Sequence, residues 1–360
     1  MLKYILAILI FGFIIFFHEL GHFIAAKLFN VKVLKFAVGM GPKLIGKTIG
    51  ETEYSIRVFP LGGFCAMAGE DTDAITKHET SEAFDDSDRS LKNKPRWQRF
   101  IILAAGPFMN VFLGFILAVV ITCMLKLVPT TVIKDFHTVS DTDKTICAAS
   151  AEHGLCVGDE IKKINGMRIF TTSDLSYQLM TGDSKEFDVE VERNDEDIKL
   201  HNVEFHDSVT DRNIDFYIQG EEKNIANVLS YSFKNTISTA RLIWISLGDL
   251  ISGKYSFKDM SGPIGVVTEI GKAASSGETA KESIMSIINL TMFITVNLGI
   301  MNLLPIPGLD GGQILFLLIE AIRRKPIKPE HQGIVNLIGL GLVMLLIIAI
   351  TFSDITKLIG

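Results

Sequence analysis

The sequence predicts an α-helical membrane protein with four transmembrane helices, a small membrane-associated β-sheet on the cytoplasmic face and an extracytoplasmic α+β domain. Three observations predict it. The 360 residues are 48% hydrophobic and only 21% charged, too apolar for an average soluble protein and too charged to lie in a membrane throughout. Three runs of bilayer-spanning length, Phe100–Leu125, Ser283–Leu309 and Gly333–Ser353, contain no Asp, Glu, Lys, Arg or His. A fourth run, Tyr4–Ala26, is equally long but carries His18, Glu19 and His22 in its second half.

Taken in order, residues 1–29 read as a retained helix rather than a cleaved leader, because the apolar pattern resumes at Leu20, Phe23, Ile24, Ala25 and Ala26. Residues 30–99 hold a sheet and a loop. Val31–Phe36 and Tyr54–Val58 alternate as strands do, Gly39, Gly41-Pro42 and Gly46 punctuate them as turns, and the sheet ends in Pro60-Leu61-Gly62-Gly63-Phe64. The polar stretch Asp71–Lys94 is expected to be a solvated loop. Residues 100–125 form the second span, 126–220 a soluble domain, and 221–282 an amphipathic membrane-associated segment. Within that segment Ile225–Ile251 is not a fifth span, because Lys234, Asn235, Arg241 and Asp249 interrupt it. Residues 283–320 hold the third span and its continuation, 321–332 a loop and 333–354 the fourth span.

Basic residues near the span ends set the orientation. Lys27, Lys32, Lys35, Lys43 and Lys47 follow the first span, Arg89, Lys92, Lys94, Arg96 and Arg99 precede the second, and Arg323, Arg324, Lys325 and Lys328 precede the fourth. These loops are expected in the cytoplasm. Thr130–Lys223, with 21 acids against 10 bases, is expected outside. A net charge of −6 gives no general reason to bind nucleic acid. Four cysteines without a CxxC pair exclude a zinc ribbon and a thioredoxin-type motif, and Cys147 and Cys156 are either a disulfide or two thiols.

In the outer domain, Gly154-Leu155-Cys156-Val157-Gly158-Asp159-Glu160-Ile161-Lys162-Lys163-Ile164-Asn165-Gly166 is followed by a helical Ser173–Met180. Two strands come next, Phe187–Arg193 and Ile198–Phe205, turned at Asn194-Asp195. This run resembles a PDZ domain. His153 stands where that pattern more often has a small residue, which would narrow a peptide groove.

The chemistry lies in His18-Glu19-Leu20-Gly21-His22. Two histidines at i and i+4 differ by about 40° around a helix, so both imidazoles can share one zinc ion, and Glu19 beside them can take a proton from the attacking water. Ionisable groups in a span are costly unless they bind something, which makes function the default reading. Counting back from Lys27 puts His22 about 7 Å and His18 about 13 Å from the cytoplasmic helix end. A catalytic zinc takes three protein ligands, and no suitable third follows His22 before Glu51. The best candidate is Asp310. Pro305 and Pro307 break the helix before it, and Gly308, Gly311 and Gly312 would allow the backbone to approach the metal closely. Alone, Asp310 would read as the cap of a helix starting near Gln313.

His18–His22 in a first span, Leu309-Asp310-Gly311 in a later one, Gly106-Pro107-Phe108-Met109-Asn110 opening a span and a PDZ-like insert together resemble the site-2 protease family of intramembrane zinc metalloproteases. The likeness is nearest to the bacterial branch that cleaves membrane-anchored anti-sigma factors. The resemblance implies His18, His22 and Asp310 as zinc ligands and Glu19 as catalytic base. It also implies that Asn297 and Asn302 hold the unwound substrate, and that the sheet with Gly62, Gly63 and Phe64 binds substrate as an added strand. It places the chain in the bacterial cytoplasmic membrane, acting on single-span membrane proteins such as anti-sigma factors or signal-peptide remnants. The rival readings are a non-catalytic scaffold presenting the PDZ-like domain and a zinc or proton transporter. Glu19 argues against the first, since a structural metal needs no general base, and a single clustered site makes no path for transport.

Overall fold

Four helices are long and apolar enough to cross a membrane: Lys3–Leu28, Arg96–Met124, Ala280–Asn302 and Glu330–Lys357. The computed structural model describes residues 2–69, 88–138, 148–181, 186–206, 214–254, 261–275, 277–325 and 327–359. These fall into two compact units, Met1–Leu117 with Leu247–Gly360, and Ala118–Ser246.

The first unit contains α1 (Leu2–Leu28), β1 (Val33–Ile49), β2 (Thr52–Met67) and most of α2 (Arg96–Met124). After the second unit come α6 (Pro263–Ser275), α7 (Ala280–Asn302), α8 (Asp310–Arg323) and α9 (Pro329–Ile359). Small residues let the helices approach closely, as apolar helices in lipid require. A Cβ at Gly21 would overlap the Ala105 carbonyl of α2, and one at Gly299 of α7 would lie 2.9 Å from the Pro107 carbonyl oxygen. The helix α7 starts in a capping box between Thr279 and Glu282 and stops at Asn302, short of Leu309, because Pro305 and Pro307 cannot continue it. Within the expected amphipathic segment lies the helix α6; the amides of Gly262, just before it, and Gly265, in its first turn, donate to the buried Asp354 carboxylate of α9 at 3.2 and 2.8 Å.

The sheet differs from expectation. Gly39 and Gly41 do not end strands; both have positive φ inside the long bulged strand β1. The first half of β1 pairs with both halves of β2, Phe36 with Cys65 and Tyr54, and Ala37 with Phe64 and Ser55. Two strands therefore make a curled sheet with residues 63–67 along one edge. Of the expected loop, 71–87 lie outside the described residues. Arg89 and Leu91 return to the sheet, the Lys32 amide donating to the Arg89 carbonyl and the Leu91 amide to that of Ala68.

The second unit contains β3 (Val128–Phe136), α3 (Ala149–Glu152), β4 (Glu160–Ile164), β5 (Met167–Arg168), α4 (Thr172–Thr181), β6 (Glu186–Arg193), β7 (Glu196–Glu204), β8 (Phe216–Glu221) and most of α5 (Ile225–Ile251). Its sheet runs β7-β6-β4-β3-β8, with β5 on β4, over a core that includes Ile133, Ile161, Ile164, Leu175, Val189, Val191 and Val203. The β6–β7 turn falls at Asn194-Asp195, both with positive φ as a tight hairpin demands. His153 is exposed, and its ring bonds back to the Ala149 carbonyl of its own helical turn at 2.9 Å. Cys156 is exposed, and Cys147 lies outside the described residues. The interrupted helix α5 is not among the four long apolar ones.

Candidate metal centre

On α1 the i, i+4 spacing puts His18 and His22 on one face, with their Nε2 atoms 3.3 Å apart. Asp310 Oδ2 lies 3.2 Å from His18 Nε2 and 3.4 Å from His22 Nε2. The cap reading of Asp310 fails. The helix α8 begins at Asp310 itself, Leu309 is its N-cap without a side-chain cap, and the Asp310 carboxylate turns to the histidines. Among the described residues this is the one close group of potential metal ligands.

The group fits zinc. Ligand atoms about 2.0–2.1 Å from a tetrahedral zinc stand about 3.3–3.4 Å apart, and the three measured edges are 3.2, 3.3 and 3.4 Å. Asp310 Oδ2 is buried without a hydrogen-bond partner, an orphaned acceptor that a cation would satisfy. Two nitrogens and one oxygen leave a fourth position for water or substrate.

Neighbouring groups orient the imidazoles. His22 Nδ1 lies 2.8 Å from the Ile102 carbonyl oxygen of α2, so Nδ1 carries the proton and Nε2 keeps its lone pair. His18 Nδ1 lies 3.2 Å from the amide of Asn110, whose Oδ1 has no partner. A half-turn of that amide makes Oδ1 the acceptor for His18 Nδ1–H and satisfies both groups, with His18 Nε2 free to bind metal. Asn110 is fully buried, and Thr295 of α7 donates to its carbonyl at 3.2 Å. Gly106 is required for closeness, since a Cβ there would overlap the His22 ring.

Glu19 is 8% exposed, and the Cys65 backbone amide donates to its carboxylate. Gly63 lies against its stem: a Cβ on that glycine would be 3.0 Å from Glu19 Cγ. The edge of the sheet thus passes beside Glu19. Gly62 and Phe64 share that strand but pack elsewhere, Gly62 near Met40 and Phe64 under the Arg57 guanidinium at 4.7 Å. Asn297 and Asn302 are half-buried on α7, and neither side chain has a hydrogen-bond partner among the described residues, so interhelical bonding does not occupy them. The glycines after Pro307 act differently from expectation. Side chains at Gly311 or Gly312 would overlap the carbonyls of Leu304 or Ile306, so the tight approach is of backbone to backbone rather than backbone to metal.

Two participants escaped the sequence reading. Cys65 acts through its backbone amide, which leaves no mark in a sequence. Asn110 stood in the quoted Gly106–Asn110 run, so a polar residue deep in an uncharged span was the available signal.

The sequence profile of Peptidase family M50 matches residues 6–346. The regulator of sigma-W protease RasP of Bacillus subtilis is 32% identical over 427 aligned positions, covering 98% of this chain and 97% of that protein. The zinc metalloprotease RasP of Bacillus licheniformis is 31% identical, covering 98% of each chain.

Proposed function

The chain belongs to Peptidase family M50 and is a zinc metalloprotease of the membrane, and from that premise we propose an intramembrane endopeptidase in which His18, His22 and Asp310 hold the metal and Glu19 is the general base. The observation that carries the assignment is the triangle of three donor atoms with edges of 3.2–3.4 Å beside a buried carboxylate.

Bound zinc supplies Lewis-acid chemistry, polarising the scissile carbonyl and making water nucleophilic at neutral pH. Glu19 Oε takes the proton of the attacking water and delivers it to the leaving amine. The Cys65 amide holds the Glu19 carboxylate, so the base is oriented before substrate arrives. A transmembrane helix keeps its amides in i to i−4 bonds, so cleavage requires unwinding and replacement bonds. The edge at Gly62, Gly63 and Phe64 offers a strand partner, and the amides of Asn297 and Asn302, unbonded among the described residues, offer donors and acceptors.

The substrates are single-span membrane proteins. The relative named for sigma-W regulation supports anti-sigma factors as one class. The Lys and Arg asymmetry supports a site near the cytoplasmic side and a PDZ-like domain, 126–220, outside. For topology, a Lys47→Cys thiol is expected to be shielded from an impermeant reagent in intact cells and a Glu196→Cys thiol to react, the native cysteines being replaced; the reverse pattern refutes the orientation. For function, membrane proteomes of cells carrying the active chain or Glu19→Gln are compared. Single-span fragments are expected to accumulate uncleaved only with Glu19→Gln, and identical proteomes would refute the activity.

A further inference from the structure

The loop that presents Asp310 is a break in helical structure between α7 and α8, and inside a membrane each of its amides needs a partner. Pro305 and Pro307 have none to offer. The amides of Leu304, Ile306 and Leu309 bond within the local chain, to the carbonyls of Met301, Leu304 and Ile306 at 3.1, 2.7 and 3.1 Å. The Gly308 amide differs: it donates to Asn336 Oδ1 of α9 at 3.2 Å. Gly308 has φ +94°, a conformation that favours glycine, so the backbone turns here to aim that amide at α9. Asn336 is buried at 7% on a helix whose Leu337, Leu342, Leu345 and Ile348 are exposed. One turn further along α9, a Cβ at Gly339 would overlap the Pro307 carbonyl, so α9 seats the same loop a second time.

Asp310 turns its carboxylate to the histidines instead of capping its own helix, and Leu309 supplies no side-chain cap. The start of α8 therefore takes its position from the loop, and the loop takes its from α9. We propose that Asn336 is a positioning residue for the metal centre: its carbonyl oxygen fixes Gly308, and through it the placement of the Asp310 carboxylate, with Gly339 completing the seat. This rests on reading Asp310 as a zinc ligand. The fourth apolar helix then sets metal affinity as well as anchoring the chain.

The test uses the full chain in detergent, with zinc affinity measured by chelator competition and the visible spectrum recorded after cobalt substitution. Asn336→Leu keeps the size and removes the acceptor. Its zinc affinity is expected to fall about 10–100-fold, as for other outer-shell ligand supports, with altered cobalt bands. Asn336→Asp retains an acceptor oxygen and is expected to restore affinity and bands. Gly339→Ala is expected to weaken zinc binding in the same direction, whereas Gly341→Ala, whose Cβ enters open space, leaves it unchanged. Wild-type affinity and bands in both Asn336→Leu and Gly339→Ala, with Asp310→Asn losing zinc, would overturn the inference alone. Retention of zinc by Asp310→Asn would overturn the ligand assignment beneath it. If Asn336→Leu does not accumulate, Gly339→Ala and the Asp rescue decide by the same readouts.

Discussion

The two units bury carboxylates differently: those of Ala118–Ser246 are satisfied, whereas the other unit satisfies Asp354 and Glu320 but leaves the carboxylates of its metal centre short of partners. In Ala118–Ser246 three aspartates are fully buried and amply satisfied. Asp159 accepts from Arg193 Nε at 2.6 Å and from the Cys156 amide at 2.8 Å. Asp174 accepts from Arg241, from the amides of Phe170 and Thr171, and from the Ser238 hydroxyl. Asp215 accepts from the amide and hydroxyl of Ser150 and from the His206 amide. In the other unit Asp310 Oδ2 is buried with no hydrogen bond, and Glu19 has one backbone donor. A buried carboxylate with all its partners is part of the scaffold, and one left short of partners is reserved for something that arrives later.

The sharpest way to break this contrast is to neutralise carboxylates of the second kind. Glu19→Gln is expected to lower hydrolysis of a model transmembrane substrate by about 10²–10⁴-fold, the usual worth of a general base, with full zinc content by elemental analysis. Asp310→Asn is expected to be inactive and metal-depleted, its affinity loss exceeding the roughly 100-fold of an outer-shell change. If both variants keep their zinc, Asp310 is no ligand.

The satisfied kind should behave in the reverse sense. Arg241→Leu strands Asp174, and the expected loss is about 3 kcal/mol, the low end for breaking a buried pair because Arg241 is a quarter exposed. Hydrogen exchange of the α4 amides should accelerate while zinc content stays at wild type. A loss of zinc instead would mean that the two classes of carboxylate are not separable.

The smallest effect concerns a half-buried group of intermediate kind. Glu51 accepts a bidentate pair from Arg89 and a bond from Lys27 at 2.6 Å, and these donors hold its carboxyl down at about 2. A depressed folded value means the stabilisation is present above the ordinary 4.5 and is lost as pH falls toward 2. Proteolysis of the β1–β2 turn should therefore rise between those values, and Glu51→Gln should flatten that profile. An unchanged profile would show that the triad does not hold the turn.

Legibility in the sequence followed the range of each interaction. The histidine pair and Glu19 were plain because one helical turn brings them together, and the four spans because composition alone makes them. The approach of Asp310 to the histidines was anticipated from a chemical deficit, a histidine pair lacking a third metal donor, together with the prolines that end α7. The strands expected at 187–193 and 198–205 were local patterns, found at Glu186–Arg193 and Glu196–Glu204 with Asn194-Asp195 at their turn. What stayed hidden was carried by backbone or by distant packing: the Cys65 amide on Glu19, the two-sided pairing of β1, the Asp354 cap of α6 and the Asn336 bond to Gly308. Glycines misled because the sequence marks where a side chain is missing but not what fills the space.

The proposed ligand set also has a history within each molecule's synthesis. Asp310 follows His22 by 288 residues. At about 5–20 residues per second, the ribosome needs roughly 15–60 s to supply the third donor after the first two have entered the membrane. Throughout that interval the nascent chain holds a base and two imidazoles without the carboxylate that completes their metal grip. With that ligand set, a protease embedded among its own potential victims is kept inert until residue 310 has been made.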